Sequence, residues 1–133
     1  MNDRFKFRVW NKEQNRFHHS FCCDITASGT LVISQGIEGK KYIVDDDNYV
    51  VQQCTGLKDK NGKLIFEGDV IKYYFDDDNE DFIVKYSEKD LAFITETLDG
   101  KYQNNFIDYD IIPTKEYEII GNTFENKELL NEI

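Results

Sequence analysis

The chain reads as a mostly β protein: a single domain with a small, partly open barrel, SH3-like in flavour, and a short C-terminal helix. Three observations point there. Short runs rich in Val, Ile, Phe and Tyr recur at spacings of roughly ten residues, the rhythm of an all-β fold. Turn residues separate the runs, as at Ser28-Gly29, Asn61-Gly62 and Gly68-Asp69. No Pro-, Gly- or Ser-rich linker divides the chain. Residues 1–54 are expected as N-terminal strands packed on a barrel-like half of residues 55–133.

The elements follow in order. Phe5, Phe7 and Val9 alternate with Lys6, Arg8 and Trp10, the period of a half-buried strand. Residues 11–15 are a polar turn, and residues 16–23 read as the returning strand with Phe17, Phe21 and Cys23 inward. Strands are expected over 30–34, 41–44 and 49–54, the last two around the acidic turn Asp45-Asp46-Asp47-Asn48. Strands over 70–75 and 82–86 flank an expected acidic loop, 76–81, and a further strand covers 91–95. Residues 102–112 are ambiguous, with Phe106, Tyr109 and Asp110 able to lie on a short helix. Pro113, the only proline, precedes the last strand, 117–120. Asn126 can cap a short terminal helix through Leu130.

Residues 55–73 carry the densest local information. Asn61-Gly62 fits a type I′ hairpin turn, which needs positive φ at both central positions. Glu67-Gly68-Asp69 offers a second tight turn with Gly68 left-handed. Val70, Ile71, Tyr73 and Tyr74 then form a strand. This phrase, with Gly56, Lys58, Asp59, Asn61, Gly62, Glu67, Gly68 and Asp69, closely resembles the TGLKDKNGKxIYEGDIVK signature of the YopX family, which bacteriophages and prophages encode. The opening run containing Trp10 resembles the family's KFRxWDK phrase. The run from Tyr117 to Asn126, with Gly121 and Asn122, resembles its EVIGNIYENPELL ending, although Lys127 stands where the family often has Pro. The three phrases lie in the same order and span nearly the whole chain; residues 17–51 and 76–110 have no counterpart in them. The resemblance brings no catalytic residue with it, and the motif positions read as mainly structural.

Composition narrows the function classes. A chain of 133 residues with 40% hydrophobic residues supports a real core without a disulfide or structural metal. It has no apolar run of the roughly 18 residues a membrane helix needs, and no apolar signal region at its start, so a cytoplasmic protein is expected. The net charge of −10 disfavours non-specific binding to nucleic acid and reads first as solubility. Cys22, Cys23 and Cys54 are expected as free thiols, Cys23 and Cys54 buried.

No cofactor is implied by any cluster. In His18-His19-Ser20-Phe21-Cys22-Cys23, strand alternation would put His18 and Cys22 on one face, with Asp24 as a third donor, and His19 and Cys23 on the other; a structural zinc site wants four ligands. The run Asp76-Asp77-Asp78-Asn79-Glu80-Asp81 fails the EF-hand pattern, because Asp81 and Ser87 stand where Gly and Glu are required. Glu67 and Asp69 are a carboxylate pair that a polar turn explains. No G-x-S-x-G, H-E-x-x-H or phosphate-binding glycine loop is present.

Three functions compete. The first is a non-enzymatic accessory or binding protein of phage origin that self-associates, with Trp10, Tyr73 and Tyr74 as partly exposed anchors. The second is an acidic mimic of nucleic acid that inhibits a host DNA-binding protein. The third is a hydrolase using a carboxylate-bound metal. A homo-oligomer is expected from strand edges, with a monomer the alternative if Lys72, Lys85 and the acidic turns block them.

Overall fold

The structure, a computed structural model, describes residues 3–35, 37–75, 77–105 and 116–130. The chain divides into two compact units: Arg8–Gln52, and Met1–Phe7 together with Gln53–Ile133.

In the first unit, β1 (Phe7–Asn11) and β2 (Arg16–Phe17) form an antiparallel hairpin in which Trp10 faces Phe17. Trp10, expected to be partly exposed, is 3% exposed. Its ring meets Phe17 edge-on at 4.8 Å, and the Arg8 guanidinium lies 4.7 Å from the same Phe17 ring. Val9, Trp10 and Asn11 are all buried, so this stretch is covered on both faces and the expected alternation fails. Phe5 lies outside the strand, in a 3-10 turn (Asp3–Phe5), and is exposed. Asn11 ties two polar turns together. Its Oδ1 accepts the Gln14 amide at 3.0 Å and the Asn48 side-chain amide at 3.1 Å. The Lys12 amide in turn donates to the Asn48 carbonyl.

The strand expected over 16–23 ends at Phe17. A 3-10 turn (Ser20–Cys22) follows, closed by the Cys22 amide on the His19 carbonyl at 2.9 Å, and it swings Phe21 outward to 81% exposure, stacked on His19. The chain re-enters as β3 (Cys23–Ile25), then β4 (Leu31–Gln35) and β5 (Lys40–Val44), an antiparallel sheet in the order β3-β4-β5. Leu31 and Ile33 on the central strand are buried. β5, at the edge, is exposed from Lys40 to Ile43.

Strand β6 (Tyr49–Lys58) begins in this unit and ends in the other, where it pairs with β7 (Leu64–Phe66). The larger unit then runs through β8 (Asp69–Phe75), β9 (Asp78–Ser87), β10 (Ala92–Thr97), β11 (Gln103–Asn105) and β12 (Tyr117–Asn122). These five form one antiparallel sheet, β11-β10-β9-β8-β12, curled as a half-barrel. Ile65, Ile71, Phe82, Val84 and Tyr117 make its core, with Leu57, Tyr73 and Ile119 against them. The mostly β expectation with a partly open barrel therefore holds.

Several boundaries move. The acidic loop expected over 76–81 is mostly strand: Phe75 pairs with Asp78, Tyr73 with Glu80 and Lys72 with Asp81. The cross-strand ion pair of Lys72 and Asp81, 3.0 Å long, offsets the poor strand preference of aspartate. Lys72 and Lys85 guard no edge, because β8 and β9 are interior strands; Lys85 pairs instead with Glu96 at 3.2 Å. Leu91 sits at positive φ ahead of β10 rather than inside it. Phe106, Tyr109, Asp110 and Pro113 lie outside the described residues. The terminal helix is a single 3-10 turn (Lys127–Leu130), and Asn126 does not cap it in the expected way: its Oδ1 reaches back to the Asn122 amide.

Candidate functional site

The motif residues of the larger unit brace turns. Asp59 is 5% exposed and accepts three backbone amides: Asn61 and Lys63 on Oδ1, both at 2.9 Å, and Ile119 on Oδ2 at 3.0 Å. The Gly62 amide donates to the Asp59 carbonyl, and the Asp59 amide to the Lys63 carbonyl. The connection is therefore a three-residue loop, not the expected type I′ pair. Gly62 alone has positive φ, 79°, while Asn61 stays right-handed under the grip of Asp59. Lys58 is exposed, opposite Leu64.

The second turn is held as firmly. Phe66 donates its amide to Asp69 Oδ2 at 2.8 Å, and Glu67 to the Gln53 carbonyl. Gly68, at φ 87°, donates to the Val84 carbonyl and accepts from the Thr123 amide. Of the carboxylate pair in the sequence, Asp69 thus braces the turn with its side chain, and Glu67 is tied into it through its backbone amide. Gly56, at φ 84°, passes so close to Arg4 that a Cβ would lie 3.1 Å from its Cβ. At the far end, Asn122 Oδ1 accepts the Phe124 and Glu125 amides, and Gly121 leaves room for Asn126. The absence of side chains at these glycines and the short acceptors beside them explain much of the spacing of the motif: Asp59, Asp69 and Asn122 satisfy backbone amides that tight turns expose.

Around the first turn a surface cluster gathers. The Tyr74 hydroxyl donates to Glu118 Oε2 at 2.7 Å, and Lys60 lies 3.6 Å from the same oxygen and 4.3 Å from the Tyr74 ring centroid. The Tyr74 hydrogen bond, then Lys60, holds the Glu118 carboxyl below its ordinary value, and the same bond pushes the Tyr74 phenol up. Tyr117 beside it is pushed up to about 12, by burial first and then by Tyr73.

The histidine–cysteine run does not form the two faces of a strand, because the chain turns at residues 20–22. His18 Nε2 lies 3.3 Å from Asn11 Nδ2 and its ring 5.7 Å from Tyr49; burial, then Arg16 and His19, holds its pKa below the ordinary value. Cys22, Cys23 and Cys54 are free thiols; Cys23 and Cys54 are buried, and burial raises both. Among the described residues no three His, Cys, Asp or Glu side chains gather as a metal site.

Among the described residues a feature with room for a ligand lies in the Arg8–Gln52 unit, away from the histidine–cysteine run that the sequence offered there. A groove of about 460 Å³ is bounded by Leu31, Ile43, Val44, Tyr49 and Val51, with Asp45 and Asp46 among its lining carboxylates. Ile43 is 76% exposed. A signal was present in the run Lys40-Lys41-Tyr42-Ile43-Val44-Asp45-Asp46: adjacent strand residues point to opposite faces, so Tyr42 and Ile43 cannot both enter one core.

A strand-rich chain most of whose motif residues shape turns, with Trp10 buried in a strand, defines a family by architecture. The chain matches the YopX protein family over residues 6–131 and belongs to it. It is similar to the crystal structure of protein EF1440 from Enterococcus faecalis, at 28% identity over 94% of this chain and 96% of that one, with a TM-score of 0.61. It is also similar in fold to protein yopX from Bacillus subtilis, at 20% identity over 97% of this chain and 98% of that one, with a TM-score of 0.65. No curated protein matches the chain. Among the described residues no helix is long and apolar enough to cross a membrane.

Proposed function

We propose that the chain is a non-enzymatic accessory protein of phage or prophage origin that acts in the bacterial cytoplasm by binding protein, and that β5 with its groove is the binding surface. The groove carries this reading. A cleft open to solvent, lined by apolar side chains such as Ile43 and Val51 together with polar groups and carboxylates, offers an anchor pocket, and buried anchors dominate the energy of protein interfaces. Asp45 and Asp46 at its side favour an occupant that sets a basic residue next to an apolar one.

The test compares the wild-type chain with Val51→Arg as baits in bacterial lysate, with matched thermal unfolding. A specific protein captured by the wild type is expected to be lost from the variant. Equal recovery of the same protein by a folded Val51→Arg bait overturns the reading.

A further inference from the structure

We propose that two copies of this chain pair edge to edge through β5, antiparallel, about a two-fold axis at Ile43, so that their three-stranded sheets join. This deepens the binding reading above and rests on the same exposed strand.

β5 is an outer strand whose five residues hold an unbroken register with β4, from Leu31↔Val44 to Gln35↔Lys40. Its outer backbone groups are the template that edge strands present. Its side chains are open on both faces: Ile43 on one, Tyr42, 43% exposed, on the other. Proline, bulges and charged side chains, lysine above all, are the usual guards of such an edge; β5 has neither a proline nor a break in register, and its two lysines, Lys40 and Lys41, guard it only until an opposite charge meets them.

The sequence across this edge is self-complementary. Lys40-Lys41 precede Tyr42-Ile43-Val44, and Asp45-Asp46 follow. Laid antiparallel on a second copy with Ile43 opposite the partner's Ile43, Tyr42 meets the partner's Val44. Lys41 meets the partner's Asp45, and Lys40 meets the partner's Asp46. Residues directly opposite share a face. Each face of the joined sheet therefore has an apolar centre flanked by ion pairs, and the two-fold axis doubles every contact except that of Ile43 with its own copy, which lies on the axis. Centring the axis on Tyr42 sets Lys41 against Ile43 and Lys40 against Val44, with no ion pair. Parallel pairing in register sets lysine against lysine. Only the antiparallel register at Ile43 sets apolar residues against one another at the centre and brings Asp45 and Asp46, just past the end of β5, alongside the partner's Lys41 and Lys40.

Within the chain these charges are not consumed. Lys40, Lys41, Asp45 and Asp46 are exposed. Among the described residues Lys41 and Asp45 form no ion pair, Lys40 lies 5.8 Å from the Tyr42 ring centroid, and Asp46 Oδ1 accepts only the Asn48 amide. The net charge of −10 opposes association at long range, but ordinary salt screens that repulsion beyond a Debye length of about 8–10 Å, while paired charges in contact are screened less. A five-residue strand pair buries less than the standard interface of about 1,600 Å², so the dimer is expected to be concentration-dependent.

The test uses sedimentation of the purified chain at rising concentration, alone and in mixtures. The wild type is expected to shift from monomer to dimer. Lys40→Asp with Lys41→Asp, and separately Asp45→Lys with Asp46→Lys, are each expected to stay monomeric, because each places like charges across both pairs. An equimolar mixture of the two variants is expected to form a heterodimer, in which every pair is again of opposite sign. That rescue also shows that both variants fold. The second variant lowers the net negative charge, so bulk repulsion alone would make it associate more readily than the wild type. A wild type that stays monomeric, a mixture that stays monomeric, or self-association of the Asp45→Lys, Asp46→Lys variant overturns the proposal. A monomeric wild type whose lysate partner is still lost on Val51→Arg removes the dimer and leaves the groove reading standing; a dimer with unchanged capture does the reverse.

Discussion

Asp59 and Ile119 are sixty residues apart, and Asp59 Oδ2 accepts the Ile119 amide at 3.0 Å. One short carboxylate thereby closes the loop between β6 and β7 and holds the start of β12, whose Tyr117 carbonyl accepts the Lys60 amide. Asp59→Ala is expected to destabilise the protein by about 2–4 kcal/mol, chiefly by stranding the Ile119 amide, since Asn61 and Lys63 are exposed and water can replace the acceptor there. Asp59→Asn keeps the Oδ1 acceptor for Asn61 and Lys63 but turns a donor toward Ile119, and is expected to cost nearly as much. Urea midpoints of the two variants check this; an Asp59→Asn that is nearly neutral beside a damaging Asp59→Ala would show that the Ile119 bond contributes little.

Gly62 and Gly56 share a left-handed backbone but not their surroundings. A Cβ at Gly62 meets nothing within 4 Å, whereas one at Gly56 sits 3.1 Å from Arg4 Cβ. Gly62→Ala is expected to cost about 1 kcal/mol from backbone strain alone, and Gly56→Ala about 2–3 kcal/mol. Gly68→Val, at a turn tied to Val84 and Thr123, is expected to lose about 1–3 kcal/mol. Thermal unfolding of the three variants gives the ranking, and a Gly62→Ala as damaging as Gly56→Ala would contradict it.

Gly121 and Asn126 are coupled by space. A Cβ at Gly121 would lie 2.6 Å from Asn126 Oδ1, the atom that accepts the Asn122 amide. Gly121→Ala therefore displaces the Asn126 side chain and breaks its hydrogen bond, and Asn126→Ala breaks the same bond directly. The double variant is expected to be less destabilised than the two single losses added together, by about 1 kcal/mol. Simple additivity would separate the two residues.

Tyr117 ties stability to alkaline pH. Its phenol titrates at about 12 in the folded chain against an ordinary value of 10.0. The unfolded chain gives up this proton first, so between those values the folded state binds more protons and stability falls as pH rises. The contribution is fully present below about pH 10, and about 2–3 kcal/mol is lost by pH 12. Tyr117→Phe removes the titrating group, and its unfolding free energy is expected to fall less steeply over that window. Parallel slopes for the two proteins would assign the alkaline loss to other groups.

Much of the fold was legible because its signals are local. Alternating apolar runs and Gly-containing turns marked the strands of both units, and positive φ at Gly62 and Gly68 follows from turn chemistry that neighbouring residues impose. The family phrases were legible in part for the same reason, since Asp59 grips Asn61 and Lys63, Asp69 grips Phe66, and Asn122 grips Phe124 and Glu125, each within a few positions. Where a distant residue decides, the sequence misled. Trp10 was placed half outside, but burial depends on what covers a strand's second face. Residues 78–81 read as an acidic loop, but Lys72 across the hairpin makes them strand. Asn61-Gly62 read as a symmetric turn, but the Asp59 carboxylate holds Asn61 right-handed.

The sequence by itself determined the strand-rich class, the turn residues and the family, because each rests on the chemistry of neighbours along the chain. The tertiary structure decided which strand stands at an edge and which apolar residues stay outside. The run from Lys40 to Asp46 looks the same whether β5 is interior or outermost; only the sheet order places it at an edge, and only that placement leaves Ile43 beside an open groove. Edge position is a property of pairing between segments far apart in the chain, which no local preference encodes.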